Sequence, residues 1–155
     1  MHNHEPPGYS CLFCRIVQRA KHDSSLTGSD VIHQTDSVTA FLGLGRWPGN
    51  PVDVLIVPNE HIEHLYDLPL RYAPVLQQAT RAVALALKAV FRCDGISTRQ
   101  HNEPAGDQDV WHFHIHVTPR STGDNFYRSH KIPFPESERL ECARQLRDYL
   151  AVPEI

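Results

Sequence analysis

The chain has 155 residues, of which 41% are hydrophobic and 21% charged, and its formal net charge is −3 at pH 7. These values fit a single globular domain, while the lack of a basic excess argues against binding to a nucleic-acid polymer. No apolar run approaches the roughly 20 residues of a membrane span. The N-terminus also lacks the pattern of a signal peptide, so we expect a cytoplasmic protein with no membrane partner.

The predicted elements form one domain over residues 11–155, preceded by a polar, proline-rich and flexible lead-in over residues 1–10. In the first half of the chain we predict a helix over 11–20, a loop over 21–29, a hairpin of strands 31–34 and 38–42, a loop over 43–51 and a strand over 52–57. In the second half we predict a helix over 70–91, a strand over 96–102, a loop over 103–109, a strand over 111–118, irregular chain over 123–134 and a helix over 135–150. This order predicts an α+β domain with an antiparallel sheet and helices on one face.

The loop over residues 43–51 carries Arg46 and Trp47 among glycines and prolines. Two interpretations stay open for it. The loop either faces a ligand with these two side chains, or is a surface loop that Trp47 anchors.

The long helix over 70–91 is expected to pack in the hydrophobic core and also to take part in a homodimer interface. Its apolar positions step by three and four in one stripe of Tyr72, Leu76, Ala79, Val83, Ala86 and Val90. We expect this helix to end at a C-terminal cap formed by Asp94 and Gly95. The stripe is wider than one sheet face requires, and the following strand has no proline to protect a sheet edge. A homodimer would cover both features with their own copies.

Four cysteines are present, and only two of them are spaced for chemistry. Cys11 and Cys14 form a C-x-x-C motif, which is either half of a metal site or a redox pair. Cys93 and Cys142 have no Cys or His at ligand spacing, so we expect them to be small buried hydrophobes.

The segment from Trp111 to Thr118 alternates apolar and polar residues, which predicts a strand with His112, His114 and His116 on one face. Histidine has a lower strand propensity than Val, Ile or Thr, so three aligned imidazoles indicate a function. One possibility is a metal site. The other is nucleophilic attack on a phosphorus centre, with a neighbouring ring holding the phosphate oxygens. The long helix disfavours a β-sandwich metal site of the cupin type and favours the second chemistry.

The histidine segment resembles the signature of the histidine triad family of nucleotide hydrolases and transferases. The other matching segments, in the family's usual order, are Cys11-Leu-Phe-Cys14, Ala40-Phe41-Leu42, Val54-Leu55-Ile56-Val57-Pro58-Asn59-Glu60-His61, Asn102, Gly106, Gln108 and Pro119-Arg120. The resemblance covers roughly residues 11–120. It implies an α+β fold whose sheet continues across a homodimer.

The resemblance also implies roles for single residues. His114 corresponds to the nucleophile that attacks an α-phosphate and forms a nucleotidyl-histidine, and His116 to a catalytic residue that contacts the phosphate. Asn102, Gln108 and Asp109 correspond to nucleotide-binding positions. Capping of the loop by Asn102 and Gln108 stays open as an alternative.

The same comparison implies one structural zinc per chain, held by Cys11, Cys14, His61 and His112 as a closed set of four ligands. His64, three residues beyond His61, is a competing ligand. In the other alternative, His61 belongs to the active site.

Three positions depart from the family pattern. Gly43 stands where an acidic residue often follows Ala-Phe-Leu, Asp53 where many members have His, and Asp109 where Ser usually precedes the triad. The leading hypothesis is a hydrolase of nucleoside phosphoramidates or dinucleoside polyphosphates. Its rivals are a nucleotide-binding regulatory protein with weak turnover, and a metal-dependent oxygenase or hydrolase that uses the triad as ligands.

Overall fold

A computed structural model of the chain describes residues 3–18 and 28–151. The helices are α1 (Leu12–Val17), α2 (Tyr72–Phe91) and α3 (Glu136–Leu150). The strands are β1 (Val31–Gln34), β2 (Val38–Leu42), β3 (Gly45–Arg46), β4 (Val54–Pro58), β5 (Gly95–Gln100), β6 (Ile115–Arg120) and β7 (Ile132–Pro133). Most of the loop predicted over 21–29 lies outside the described residues.

Five strands form an antiparallel sheet in the order β1-β2-β4-β6-β5, which confirms the predicted α+β class. The sheet is buried on both faces. Along β4, Val54 and Ile56 join the core beneath α2 and α3, whereas Leu55 and Val57 join a second core beneath α1. Because side chains alternate along a strand, this pattern places α1 on the opposite side of the sheet from α2 and α3. The prediction that the helices lie on one face holds for α2 and α3 and was wrong for α1.

The long helix is confirmed, with Leu76, Val83 and Leu87 buried against the sheet. Its predicted C-terminal cap was wrong. The helix ends at Phe91, Arg92 adopts a left-handed conformation with φ of 51°, and Gly95 already belongs to β5. The residue in the left-handed position is therefore an arginine. The prediction failed because it assumed that a glycine would take this position.

The strand predicted over 111–118 begins later than expected, at Ile115. The residues before it bond to loops. The backbone N–H of His112 donates to the carbonyl of Val110 at 2.8 Å, and that of Phe113 donates to the carbonyl of Ile62 at 2.6 Å. The alternation of faces holds nevertheless, because Phe113 and Val117 pack in the core beneath α2.

A short antiparallel pair of strands, β3 with β7, joins the predicted loops 43–51 and 123–134. Each strand has only two residues, which is too short to show an alternating pattern in the sequence. Trp47 in the first loop is only 6% exposed and packs against Phe126 with ring centroids 4.4 Å apart. The ammonium of Lys131 lies 4.5 Å from the Trp47 ring centroid. These contacts fit the interpretation in which Trp47 anchors the loop.

The described part of the N-terminal lead-in makes specific contacts. The Tyr9 hydroxyl accepts a hydrogen bond from the Trp111 backbone N–H at 3.2 Å, and the backbone N–H of His4 donates to Glu63 at 2.9 Å. The flexibility of residues 1–10 stays a prediction. Cys93 is buried, as predicted, and Cys142 is half-buried against the core. Among the described residues, no helix is both long and apolar enough to cross a membrane.

Candidate active site and metal centre

His114 is a buried imidazole, 1% exposed, that is fixed at one ring nitrogen. Its Nδ1 lies 2.7 Å from the backbone carbonyl oxygen of His112. A carbonyl can only accept, so Nδ1 carries the proton and Nε2 keeps its lone pair. Burial lowers the pKa of His114 to about 4, although the hydrogen bond to His112 works to raise it. The ring is therefore neutral near pH 7 and able to act as a nucleophile.

His116 is the neighbouring ring, with its centroid 5.0 Å from that of His114. Its Nδ1 donates to Asp53 at 3.0 Å, and the Thr118 hydroxyl donates to the second oxygen of the same carboxylate at 2.8 Å. Lys131 adds an ion pair to Asp53 at 2.8 Å. The Nε2 edge of His116 is thus left for a ligand, and its orientation is set from behind by a buried carboxylate.

Asp53 stays ionised in spite of its burial. Burial works to raise its pKa, but the hydrogen bond and charge of His116 and the ammonium of Lys131 outweigh it and hold the pKa below the ordinary value of 3.8. In the sequence, Asp53 was identified only as a departure from the family pattern. The structure gives it a function in the fold, because it is the shared acceptor of His116, Thr118 and Lys131.

The four predicted zinc ligands lie together. Ligand atoms of Cys11, Cys14, His61 and His112 all fall within 4.8 Å of one another. Nδ1 of His112 lies 3.3 Å from Sγ of Cys11 and 3.5 Å from Sγ of Cys14, and Nδ1 of His61 lies 3.1 Å from Sγ of Cys14. A tetrahedral zinc with ordinary bond lengths separates sulfur and nitrogen ligands by about 3.5 Å. The donor set and its spacing therefore fit a structural zinc ion.

Both histidines of this set have their second ring nitrogen occupied. Nε2 of His112 donates to the carbonyl of Pro58 at 2.9 Å, and Nε2 of His61 contacts the carboxylate of Glu5. Such outer partners fix the tautomer that presents Nδ1 to a metal. Hydrogen bonding from Cys14 lowers the pKa of Cys11 to about 3, whereas the same interaction raises the pKa of Cys14. Zinc ligation requires thiolates, so metal binding at this pair would release the remaining thiol protons.

His64, the competing zinc ligand, lies elsewhere. It clusters with His4 and Glu63 rather than with the cysteines. The cluster geometry thus favours His61 as the fourth ligand of the C-x-x-C site.

Asn102 and Gln108 both brace the loop that follows His61. The Asn102 side-chain oxygen accepts the Leu65 backbone N–H at 2.9 Å. The Gln108 side-chain nitrogen donates to the Glu63 carbonyl at 2.8 Å, and its oxygen accepts the Glu103 backbone N–H at 2.7 Å. These bonds match the capping alternative, and nucleotide contact by either residue stays a prediction.

Asp109 is the exposed member of the site. Its side chain is 84% exposed, and a carboxylate oxygen lies 3.9 Å from Nε2 of His114. This nitrogen is the one that carries the lone pair, so Asp109 stands where a substrate would approach. A carboxylate repels a phosphate oxyanion, but one this exposed is free to turn towards solvent. Binding of nucleotide by Asp109 stays a prediction.

Three contributors to the site were not predicted from the sequence. Phe13 lies in α1 between the two cysteines, and its ring packs edge-on against His114 with centroids 5.3 Å apart. Lys131 comes from the segment predicted to be irregular, and Glu5 from the segment predicted to be flexible. Only the spacing of Phe13 within the C-x-x-C motif offered a clue, because that spacing puts it beside the metal ligands.

The arrangement combines a buried, neutral imidazole with a neighbouring imidazole that a carboxylate orients. Such a pair suits attack on an electrophilic phosphorus, with Nε2 of His114 forming the new bond. When His116 carries a second proton, its Nε2–H can donate to a phosphate oxygen. The four-ligand metal set has no open position and would take no part in that step.

Comparison with known proteins agrees with this geometry. A family model described as the HIT domain matches residues 26–123. An uncharacterized HIT-like protein of Saccharolobus solfataricus is 29% identical over 129 residues, which cover 83% of this chain and 87% of the relative. The purine nucleoside phosphoramidase of Escherichia coli K12 is 29% identical over 107 residues, covering 68% of this chain and 83% of the enzyme. The crystal structure of a zinc-bound histidine triad family protein from Mycobacterium smegmatis superposes with a TM-score of 0.74 at 26% identity, covering 92% of this chain and 94% of that one.

Replacing Asp53 by Asn tests the buried carboxylate. We expect Asp53→Asn to lower the free energy of unfolding near pH 7 by about 1–3 kcal/mol, because buried donors lose a charged acceptor. Since folding lowers the pKa of Asp53, its stabilising contribution is present above the ordinary pKa of 3.8 and is lost as the pH falls through the folded value. The difference between variant and wild type should therefore shrink in acid.

Urea unfolding at several pH values measures this difference. The control is Asp109→Asn, which changes the same functional group on an exposed side chain and should leave stability within about 0.5 kcal/mol of wild type. A destabilisation by Asp53→Asn that stayed constant down to strongly acidic pH would contradict an ionised Asp53.

Proposed function

The chain belongs to the HIT family of nucleotide hydrolases and transferases, and we propose that it cleaves nucleoside phosphoramidates or dinucleoside polyphosphates at the α-phosphate through a nucleotidyl-histidine on His114. The observation that carries this proposal is the His114 ring, which is buried, neutral and anchored through Nδ1. That state leaves Nε2 as a nucleophile near pH 7.

The proposed reaction has two displacements at one phosphorus atom. In the first, the lone pair of His114 Nε2 forms a bond to the α-phosphorus while the bond to the leaving nitrogen or oxygen breaks, and the ring becomes positively charged. The leaving group departs with the electron pair and takes up a proton from solvent. In the second, water attacks the same phosphorus and gives up a proton to solvent, the bond to His114 breaks with its electron pair returning to Nε2, and a nucleoside monophosphate is released with the ring neutral again.

His116 is proposed to bind a non-bridging phosphate oxygen in both steps. Asp53 orients the ring from behind, since it accepts from Nδ1 at 3.0 Å. Negative charge grows on the phosphate oxygens during each displacement, so a donor already held in position stabilises the transition state more than the ground state. The similarity to the Escherichia coli enzyme, named a purine nucleoside phosphoramidase, supports phosphoramidates as the first substrates to test.

Substitution of His114 tests the mechanism. We expect His114→Ala to lower kcat by at least about 10³-fold, because the variant has no covalent nucleophile. Nucleotide binding and thermal stability should change little. The matched control is His130→Ala, which removes an exposed histidine and should keep wild-type turnover. A fluorogenic nucleoside phosphoramidate and a dinucleoside polyphosphate serve as substrates.

The same panel separates the rival functions. A regulatory nucleotide-binding protein would bind nucleotide but hydrolyse neither substrate at a useful rate. A metal-dependent hydrolase would lose activity at once when a chelator is added to folded protein. His114→Ala retaining near-wild-type kcat would rule out the covalent mechanism.

We further propose that Cys11, Cys14, His61 and His112 hold a structural zinc ion. The spacing of their ligand atoms and the zinc-bound relative support it. Bound zinc would fasten α1 to the histidine segment and so keep Phe13 against His114. Its contribution would be to folding rather than to the reaction.

Substitution of one cysteine tests the zinc site. We expect Cys14→Ser to carry one zinc fewer per chain than wild type and to unfold at a lower temperature, because structural zinc contributes folding free energy. Cys142→Ser is the control, since Cys142 is a half-buried cysteine outside the cluster. Elemental analysis of the purified proteins gives the stoichiometry. Equal zinc content in wild type and Cys14→Ser would contradict the site.

We also propose a homodimer in which the sheet continues through β5. This strand is at one edge of the five-stranded sheet and is hydrogen-bonded to β6 on its other side. An edge strand of six residues invites pairing with a second chain. A cytoplasmic location, the absence of a nucleic-acid polymer partner, and a single domain over 11–155 likewise stay predictions.

A charge placed on β5, at the proposed dimer interface, tests the dimer. Thr98 is exposed in the middle of β5, so Thr98→Lys would bring two like charges close to the two-fold axis. We expect light scattering to report twice the chain mass for wild type and a shift towards monomer for Thr98→Lys. Thr122→Lys adds the same charge at an exposed position outside the strand and should stay dimeric. A wild-type monomer at micromolar concentration would contradict the proposal.

A further inference from the structure

A second cluster of possible metal ligands lies beside the C-x-x-C site, and the proposed reaction does not use it. It consists of Nδ1 of His4, Oε1 of Glu63 and Nε2 of His64. Nδ1 of His4 lies 3.1 Å from the Glu63 oxygen and 3.2 Å from the His64 nitrogen, and those two atoms are 3.2 Å apart. The three atoms therefore form a nearly equilateral triangle.

The size of this triangle matches three ligands of one small divalent ion. Bonds of about 2.0–2.2 Å at tetrahedral or octahedral angles place neighbouring nitrogen and oxygen ligands about 3.0–3.4 Å apart. Two imidazoles and one carboxylate are also a donor set that suits zinc and other first-row divalent metals. Three protein ligands leave at least one position for water.

The hydrogen bonds of the cluster also support a metal site. Nδ1 of His64 makes a long hydrogen bond of 3.4 Å to the carboxylate of Asp67, which places the proton on Nδ1 and turns the Nε2 lone pair towards the cluster. Glu63 accepts at the same point. One proton on His4 would then have to satisfy two acceptors that face each other, and either a metal ion or a further proton among the three atoms removes that conflict. A carboxylate behind a ligating histidine is also the usual outer partner of a metal site.

The surroundings hold the three residues in place. The side chain of His64 is 2% exposed, that of Glu63 11% and that of His4 22%, so the cluster is largely enclosed with an opening on the His4 side. The ring of His4 stacks on Trp111 with centroids 5.3 Å apart, and its backbone N–H donates to Glu63 at 2.9 Å.

We propose that His4, Glu63 and His64 bind a divalent transition-metal ion, with zinc as the ion to test, at a site separate from the four-ligand set. The ion would fasten the N-terminal segment to the loop after His61. Gln108 bonds to the carbonyl of Glu63 and Asn102 to the backbone of Leu65, so the metal would also fix the loop on which both predicted nucleotide-binding residues rest.

Zinc stoichiometry tests the proposal in a two-by-two design. Metal-free protein is dialysed to equilibrium against zinc chloride, and zinc per chain is measured for wild type, His4→Ala, Cys14→Ser and the double variant. We expect two, one, one and none. His4 lies near the N-terminus and is partly exposed, so its loss leaves the core intact, which circular dichroism checks. His130→Ala is the matched control and should bind two.

A second measurement reports on the cluster itself. Because His4 stacks on Trp111, zinc added to Cys14→Ser should change tryptophan fluorescence, and the change should vanish in the double variant. Glu63→Gln should bind at the second site at least about tenfold more weakly, since the ion loses an anionic ligand. Equal zinc content in wild type and His4→Ala would overturn the proposal and leave the cluster as a hydrogen-bonded His-Glu-His group. Wild type that binds one zinc, which Cys14→Ser loses, would overturn it as well.

Discussion

The hydrogen bond from His114 Nδ1 to the carbonyl oxygen of His112 fixes the buried His114 ring, and the contacts of His112 hold that carbonyl in turn. His112 is itself held on two sides, since its ring donates to Pro58 at the end of β4 and faces Cys11 and Cys14 at the start of α1. Neither partner is near it in sequence. The site therefore exists only when the N-terminal helix, the central strand and the histidine segment have all come together.

The two rings of the site are given opposite environments. His114 packs against Phe13 and holds only its Nδ1 proton near pH 7, because burial lowers its pKa to about 4. His116, two residues later on the same face, instead has a buried and ionised Asp53 behind it. In the proposed mechanism the first ring attacks the phosphorus and the second binds a phosphate oxygen. This division of roles between adjacent like groups follows from their neighbours and not from their identity.

The sequence predicted what depends on local pattern. The apolar stripe of α2, the alternation around His114 and the co-location of the four proposed zinc ligands were all anticipated, the last through resemblance alone. What it missed depends on contacts between distant residues. The start of the strand moved to Ile115 because the preceding backbone bonds to loops, and Lys131 reached Asp53 from a segment without periodicity. Asp53 could be described only as a departure from the family pattern, because the sequence does not show its contacts with His116, Thr118 and Lys131.

The most direct test of this account is the mass of the protein during turnover. Wild type mixed with a nucleoside phosphoramidate and quenched within a turnover should gain the mass of one nucleotidyl group, and peptide mapping should place it on His114. His116→Ala, which keeps the nucleophile, should still form the adduct but more slowly. Turnover in wild type with no adduct at any time, or an adduct that maps to another residue, would contradict covalent catalysis by His114.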